Sequence, residues 1–187
     1  MYFRTLLLTR NLLADRERPD LDALARIEDP ERFVWAILPH AARTFSVSIA
    51  LLPMRAALPA AVAYLYCRML DTYEDLVPDR ALLESQLTAF AARFPAAPGG
   101  ALEPAPEITA AAASDERDRA HLLLVQRAAL VDRVFLSLDE ATRGVIADLV
   151  RDMAEGMRWA STMFAAQGGV LDGEAQLATY CGHVLGN

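Results

Sequence analysis

Asp71 and Asp75 lie four residues apart in the stretch CRMLDTYEDL, residues 67–76, and Arg68 stands three residues before the first of them. On a helix turning about 100° per residue, Tyr64, Arg68, Asp71 and Asp75 fall within an arc of roughly 60°. Leu65, Tyr66, Met69, Leu70 and Tyr73 take most of the remaining circumference. An ordinary surface helix has a broad polar face; this one has a narrow polar stripe in an apolar surround. Two readings stand. The stripe is solvated, with an Arg68–Asp71 pair at i, i+3 that contributes about 0.3 kcal/mol. Alternatively, the adjacent carboxylates hold Mg²⁺, a hard cation that takes oxygen ligands and fills its shell with water and substrate phosphates. Arg68 then meets a phosphate directly, since its planar fork can donate two hydrogen bonds to one phosphate.

Spacing by itself does not separate the two. Asp148, Asp152 and Glu155 repeat the acidic i, i+4, i+7 pattern, but Arg151 and Arg158 widen that stripe opposite an apolar face, as on a solvated helix side. His40, His121 and His183 have no metal-ligand spacing and read as structural or exposed. Cys67 and Cys181 read as small buried hydrophobes, and Met153 and Met157 as core at i, i+4.

The elements that must position these residues are helical. Alanine, leucine and arginine dominate and strand-like alternation is rare, which predicts an all-α chain of seven or eight helices. Asp29-Pro30-Glu31 reads as an N-cap, a first-turn proline and an acid at the positive helix end. Ser137 to Glu140 has capping-box spacing and opens a run of Val145, Ile146, Leu149, Val150, Met153 and Met157 at helical period. Gly168-Gly169 ends that run, and Asp172 is placed to cap the next helix. Residues 95–114, rich in Pro, Gly and Ala, read as an interhelical loop inside a single domain spanning 1–187.

Composition removes several function classes. A net charge of −7 argues against nucleic acid as a partner. All 18 basic residues are arginine, which excludes Schiff-base lysine chemistry and a Walker-type lysine. No Gly-rich dinucleotide fingerprint occurs. Two cysteines make no disulfide framework, so a reducing cytoplasm is expected. Arg4 and Arg10 interrupt the apolar start, which lacks a cleavage site and is not read as a signal peptide. The longest apolar region, Thr44 to Cys67, is broken by Pro53, Arg55 and Pro59, which argues against a membrane span and leaves peripheral membrane contact open.

The order of segments adds what spacing lacks. RTFSVSIALLP (43–53), YLYCRMLDTYED (64–75), DMAEGM (152–157) and YCGHVLGN (180–187) together resemble the squalene/phytoene synthase family, from about residue 35 onward. DTYED is similar to the squalene synthase form of the first aspartate-rich motif, while DMAEGM leans toward phytoene synthases. The resemblance implies an isoprenoid-synthase-like helical bundle that joins two prenyl diphosphates, most readily farnesyl, head to head with loss of diphosphate. It implies Mg²⁺ at Asp71 and Asp75, and phosphate contacts from Arg43 and Arg68, with Thr44 and Phe45 completing the first segment. Ala42 stands where the family usually has a serine. Tyr64 and Tyr180 match tyrosines lining the family's central cavity, and Phe45, Tyr64 and Tyr180 offer aromatic faces to a carbocation. Gly186 matches a small residue of the last segment, with Leu185 in place of alanine. NADPH enters only if the product is squalene.

The family carries a second aspartate-rich motif after the segment resembling YCGHVLGN, and this sequence stops at Asn187. The bundle is therefore expected to be incomplete at its C-terminus, as a truncated product, a fragment, or one half completed by a partner chain or self-association. The rival expectation is a non-catalytic helical assembly module, or an inactive fragment; retention of Asp71 and Asp75 weighs against the module.

Overall fold

Aspartates set most of the helix starts. The side chains of Asp20, Asp29, Asp79, Asp115 and Asp139 each accept a hydrogen bond from the backbone N–H three residues on, at 2.7–2.9 Å. Each satisfies one N–H that the helix itself cannot, worth about 1 kcal/mol. The structure, a computed structural model, describes residues 19–94, 102–109 and 113–185. Among them are nine helices and no strands: α1 (Leu21–Ala25), α2 (Pro30–Ala42), α3 (Phe45–Leu51), α4 (Met54–Leu76), α5 (Arg80–Ala92), α6 (Glu116–Gln126), α7 (Ala128–Ser137), α8 (Glu140–Ala166) and α9 (Glu174–Leu185). The all-α expectation holds, with at least one more helix than expected because the one-turn α1 carries no periodic signal. Residues 1–18 and Gly186 lie outside the described residues, as do 95–101 and 110–112 of the expected loop.

Helix α4 is the axis. It packs against α2, α3, α5, α6, α7 and α8. Leu65, Tyr66, Met69, Leu70 and Tyr73 are fully buried on it, which matches the apolar circumference read from the sequence. Helix α2 lies alongside, buried continuously from Phe33 to Pro39. On α8 the periodic run divides: Ile146 and Val150 enter the core and Met153 and Met157 pack at its edge, but Val145 is 70 % exposed and Leu149 also faces solvent. The period was right and the apolar arc too wide, because α8 covers the bundle with one face only.

Two cap assignments change. Asp139, not Ser137, caps α8, while the Ser137 hydroxyl donates to Val134 O at the end of α7. Gly173, with φ of 103°, precedes α9 and its carbonyl accepts from Leu177 N; the Asp172 N–H instead donates to the Gln176 side chain. Gly168 and Gly169 follow α8 with φ of 67° and 84°, as a helix stop requires.

A buried charge ties these helices together. Arg93, just past α5, pairs with Asp132 on α7 at 2.5 Å, and the Tyr66 hydroxyl on α4 donates to the other Asp132 oxygen at 2.8 Å. The guanidinium lies 4.9 Å from the Phe90 ring centre and also donates to Glu103 O. That last bond starts a strap. Tyr73 donates to Pro106 O and Gln86 to Glu107 O, and Ile108 is buried beneath. The central part of the expected loop is thus pinned to α4 and α5 by three side chains.

Removing one partner of a buried ion pair strands the other charge, so Asp132→Ala should lose about 3–5 kcal/mol in denaturant unfolding. Replacing both partners, as Arg93→Met with Asp132→Leu, should recover much of that loss. An Asp132→Ala cost below 1 kcal/mol would contradict this account.

Candidate functional site

The chain reaches the polar stripe of α4 through a sharp reversal at the end of α2. Arg43 makes it with φ of 47° and ψ of −123°, a conformation that usually needs glycine. The buried Ser46 holds the turn: its hydroxyl donates to Arg43 O at 2.5 Å and its N–H donates to the same oxygen at 3.3 Å. Helix α3 then folds back on α2 and α4. This brings Phe45 against Tyr64, with ring centres 5.4 Å apart. Phe45 is exposed, as are Arg43 and Thr44 beside the pair, and among the described residues the Arg43 guanidinium has no ion-pair or hydrogen-bond partner.

Further along α4, Arg68 pairs with Asp71 at 3.3 Å; both side chains are largely but not fully covered. Burial acts to lower the Arg68 pKa, but the Tyr64 hydroxyl and the carboxylates of Asp71 and Asp75 outweigh it and raise it, so the guanidinium stays charged. Burial raises the Asp71 carboxyl above the usual range, and Asp75 adds to the rise while Arg68 opposes it. Glu74 is likewise raised by burial and by Asp71 and Asp75. Burial and the nearby Asp71 push the Cys67 thiol up to about 12, which keeps it unreactive.

These acids crowd the last two turns of α4, where the helix dipole is negative and no basic residue lies in the last turn. Asp71 and Asp75 supply hard oxygen donors side by side, which suits Mg²⁺ in a shell otherwise filled by water and phosphate. Among the described residues no group of three or more acidic, histidine or cysteine side chains forms a fuller cage. Asp148, Asp152 and Glu155 are exposed on α8, as a solvated face should be.

Tyr180 sits elsewhere in the ring pattern. It lies half-buried on α9 and packs against Phe164 of α8, ring centres 5.7 Å apart, not against the Phe45–Tyr64 pair. Helix α9 approaches α8 at Gly156, where an added Cβ would lie only 2.5 Å from His183 Cβ. A groove of about 370 Å³ between α5 and α8, lined by Leu87, Phe94, Arg151 and Arg158 among others, contains none of the stripe residues.

Two side chains at this site had no signal in the sequence. Ser46 looked like any small helix residue. His121, on α6, is 4 % exposed, hydrogen-bonds the His40 backbone through its ring, and leaves Nε2 without a partner. Burial, Arg68 and Arg117 lower its pKa to about 4, against a pull upward from Asp118. A neutral imidazole therefore stands near the Arg68 guanidinium.

A family model described as Squalene/phytoene synthase matches residues 38–187. No significant match to a curated protein or to a solved structure was found.

The His121 shift makes stability depend on pH with a defined sign. Its folded value lies below the ordinary 6.5, so the unfolded chain takes up the proton first as pH falls. The contribution is complete above about pH 6.5 and drains away toward pH 4, reaching about 2 kcal/mol lost between pH 7 and pH 5. Denaturant unfolding of His121→Gln, compared with the wild-type chain across that window, should lack this component. Identical slopes for the two proteins would remove His121 as its source.

Proposed function

Because the chain belongs to the squalene/phytoene synthase family, we propose that its α4 stripe binds the diphosphate of a prenyl substrate, with farnesyl diphosphate the first candidate, for head-to-head condensation. The observation carrying this reading is the acidic crowding at the C-terminal end of α4: Asp71 and Asp75 share one stripe with Arg68, and burial and the neighbouring Asp75 raise the Asp71 carboxyl against the pull of Arg68. Asp71 and Asp75 would hold Mg²⁺, which supplies electrostatic neutralisation of the diphosphate when bound. Arg68, paired with Asp71 through one nitrogen, has further N–H groups to donate to phosphate oxygens. Arg43, exposed and free of other partners among the described residues, adds a second guanidinium from the α2–α3 turn, with the Thr44 hydroxyl beside it.

Loss of diphosphate from an allylic carbon leaves a carbocation. The Phe45 and Tyr64 rings, already in contact, present π faces that stabilise a cation without attacking it. Tyr180 packs against Phe164, away from this pair, and is the least direct of the three rings. Family membership supports transferase chemistry of this type; activity, substrate length and product are read by assay.

The test is diphosphate release from farnesyl diphosphate with Mg²⁺, with extraction of the hydrocarbon in the presence and absence of NADPH. A thirty-carbon head-to-head product is expected. Asp71→Asn with Asp75→Asn should lower the rate by about 10²–10³-fold. It should also abolish the Mg²⁺-dependent thermal shift produced by a non-hydrolysable prenyl diphosphate analogue. A shift that survives the double substitution would place the metal elsewhere.

A further inference from the structure

Only part of the Arg68 guanidinium is accounted for by the stripe. Nη1 pairs with Asp71, and the Tyr64 hydroxyl adds a side-chain hydrogen bond. Nε is buried, and no acceptor meets its N–H among the described residues. Helix α6 packs against α4 and α2, and His121 stands on it, 4 % exposed. Its hydrogen bond to the His40 backbone favours a protonated ring nitrogen, so a ring N–H donates to the carbonyl. Nε2 is buried with no partner among the described residues, which assigns that bond to Nδ1 and leaves Nε2 with a lone pair.

Arg68 is the foremost of the charges acting on this ring, ahead of Arg117 and Asp118. A donor without an acceptor and an acceptor without a donor thus share one buried helix interface. Buried polar groups are seldom left that way, because each has given up water and gained nothing. The two atoms do not bond directly. One ordered water, accepting from Arg68 Nε–H and donating to His121 Nε2, satisfies both.

We propose that His121 is a positioning residue for Arg68: through one buried water it takes up the Nε–H, which fixes the rotation of the guanidinium and leaves its Nη groups to the stripe. The imidazole suits this task because it is neutral. A carboxylate in its place would bind the same N–H but offset the positive charge that a phosphate needs. The purpose of the link rests on the diphosphate reading above, since a guanidinium already held in one rotation loses less side-chain entropy when it binds an anion. The link itself requires neither metal nor substrate.

The experiment is ¹⁵N NMR of the full chain without Mg²⁺ or substrate. Arg68→Lys identifies the Arg68 Nε–H signal, and the Arg93 Nε–H, bonded to Glu103 O, reports that a variant is folded. At pH 7 His121 should carry its proton on Nδ1. The Arg68 Nε–H should exchange with solvent about tenfold more slowly than those of exposed arginines. Two variants then separate positioning from a merely structural role. His121→Asn keeps a donor near the place of Nδ1 and removes the acceptor at Nε2; His121→Gln does the reverse. Positioning predicts that Asn speeds Arg68 exchange about tenfold and that Gln restores it, whereas a role exerted only through His40 predicts the opposite order. A proton on Nε2, or exchange unchanged in both folded variants, would overturn the proposal. Should a variant unfold, the wild-type tautomer and exchange rate decide. Titration with inorganic pyrophosphate and Mg²⁺ reads the purpose: affinity should fall about tenfold in His121→Asn and less than about twofold in His121→Gln. A wild-type chain with the expected NMR signature that takes up no pyrophosphate removes the diphosphate reading and supports the link. Pyrophosphate binding without that signature removes the link alone.

Discussion

The Arg93–Asp132 pair is the constraint on which the bundle's geometry depends. A guanidinium and a carboxylate out of water are costly unless other groups take up their remaining hydrogen-bonding positions. Here Tyr66 fills one on the carboxylate and Glu103 O one on the guanidinium, while Arg93 Nη1 is buried without a partner among the described residues. Phe90 and Phe94 cover the cation, and Tyr66 meets both rings and Phe135 edge-on. The cluster therefore fixes four things at once: the rotation of α4, the end of α5, the position of α7 and the seat of the 102–109 strap. Rotation of α4 matters most. With Tyr66 and Tyr73 held inward, the stripe formed by Tyr64, Arg68, Asp71 and Asp75 has one direction left to face.

That division explains what the sequence could and could not show. Period and punctuation are local, and they were readable: the apolar circumference of α4, the Asp29 cap, and the glycines after α8. The Arg93–Asp132 pair joins residues 39 apart, and nothing in the spacing of either announces it. Arg93 and Asp132 each look like an ordinary exposed charge on an amphipathic helix. The strap is similar. Its proline-rich composition predicts a lack of helix, which is true, but not that Tyr73, Gln86 and Arg93 would each claim one of its carbonyls. At the site, spacing placed the four stripe residues on one side of α4, whereas the Phe45–Tyr64 contact needed the Arg43 reversal to exist first.

The electrostatics of the stripe also differ from those of the acidic face on α8. Asp148 and Arg151 pair in the open, and Arg151 spends a second bond on Phe94 O. Charge there is balanced by neighbours and solvent. On α4 the acids outnumber the one arginine among them and stand at the wrong end of a helix for their sign. Two patterns with the same acidic spacing thus differ in balance: the acids on α8 are offset by neighbours and solvent, those on α4 only by Arg68.

The backbone at Arg43 has a consequence for substitution. A side chain held at φ of 47° and ψ of −123° carries a conformational cost of about 1–3 kcal/mol that glycine would not. A search for thermostabilising substitutions would therefore favour glycine at this turn. It would also delete the guanidinium standing closest in sequence to the Phe45 ring. Glycine at position 43 would thus relieve the backbone and, in the same step, remove the exposed guanidinium on which the diphosphate proposal draws.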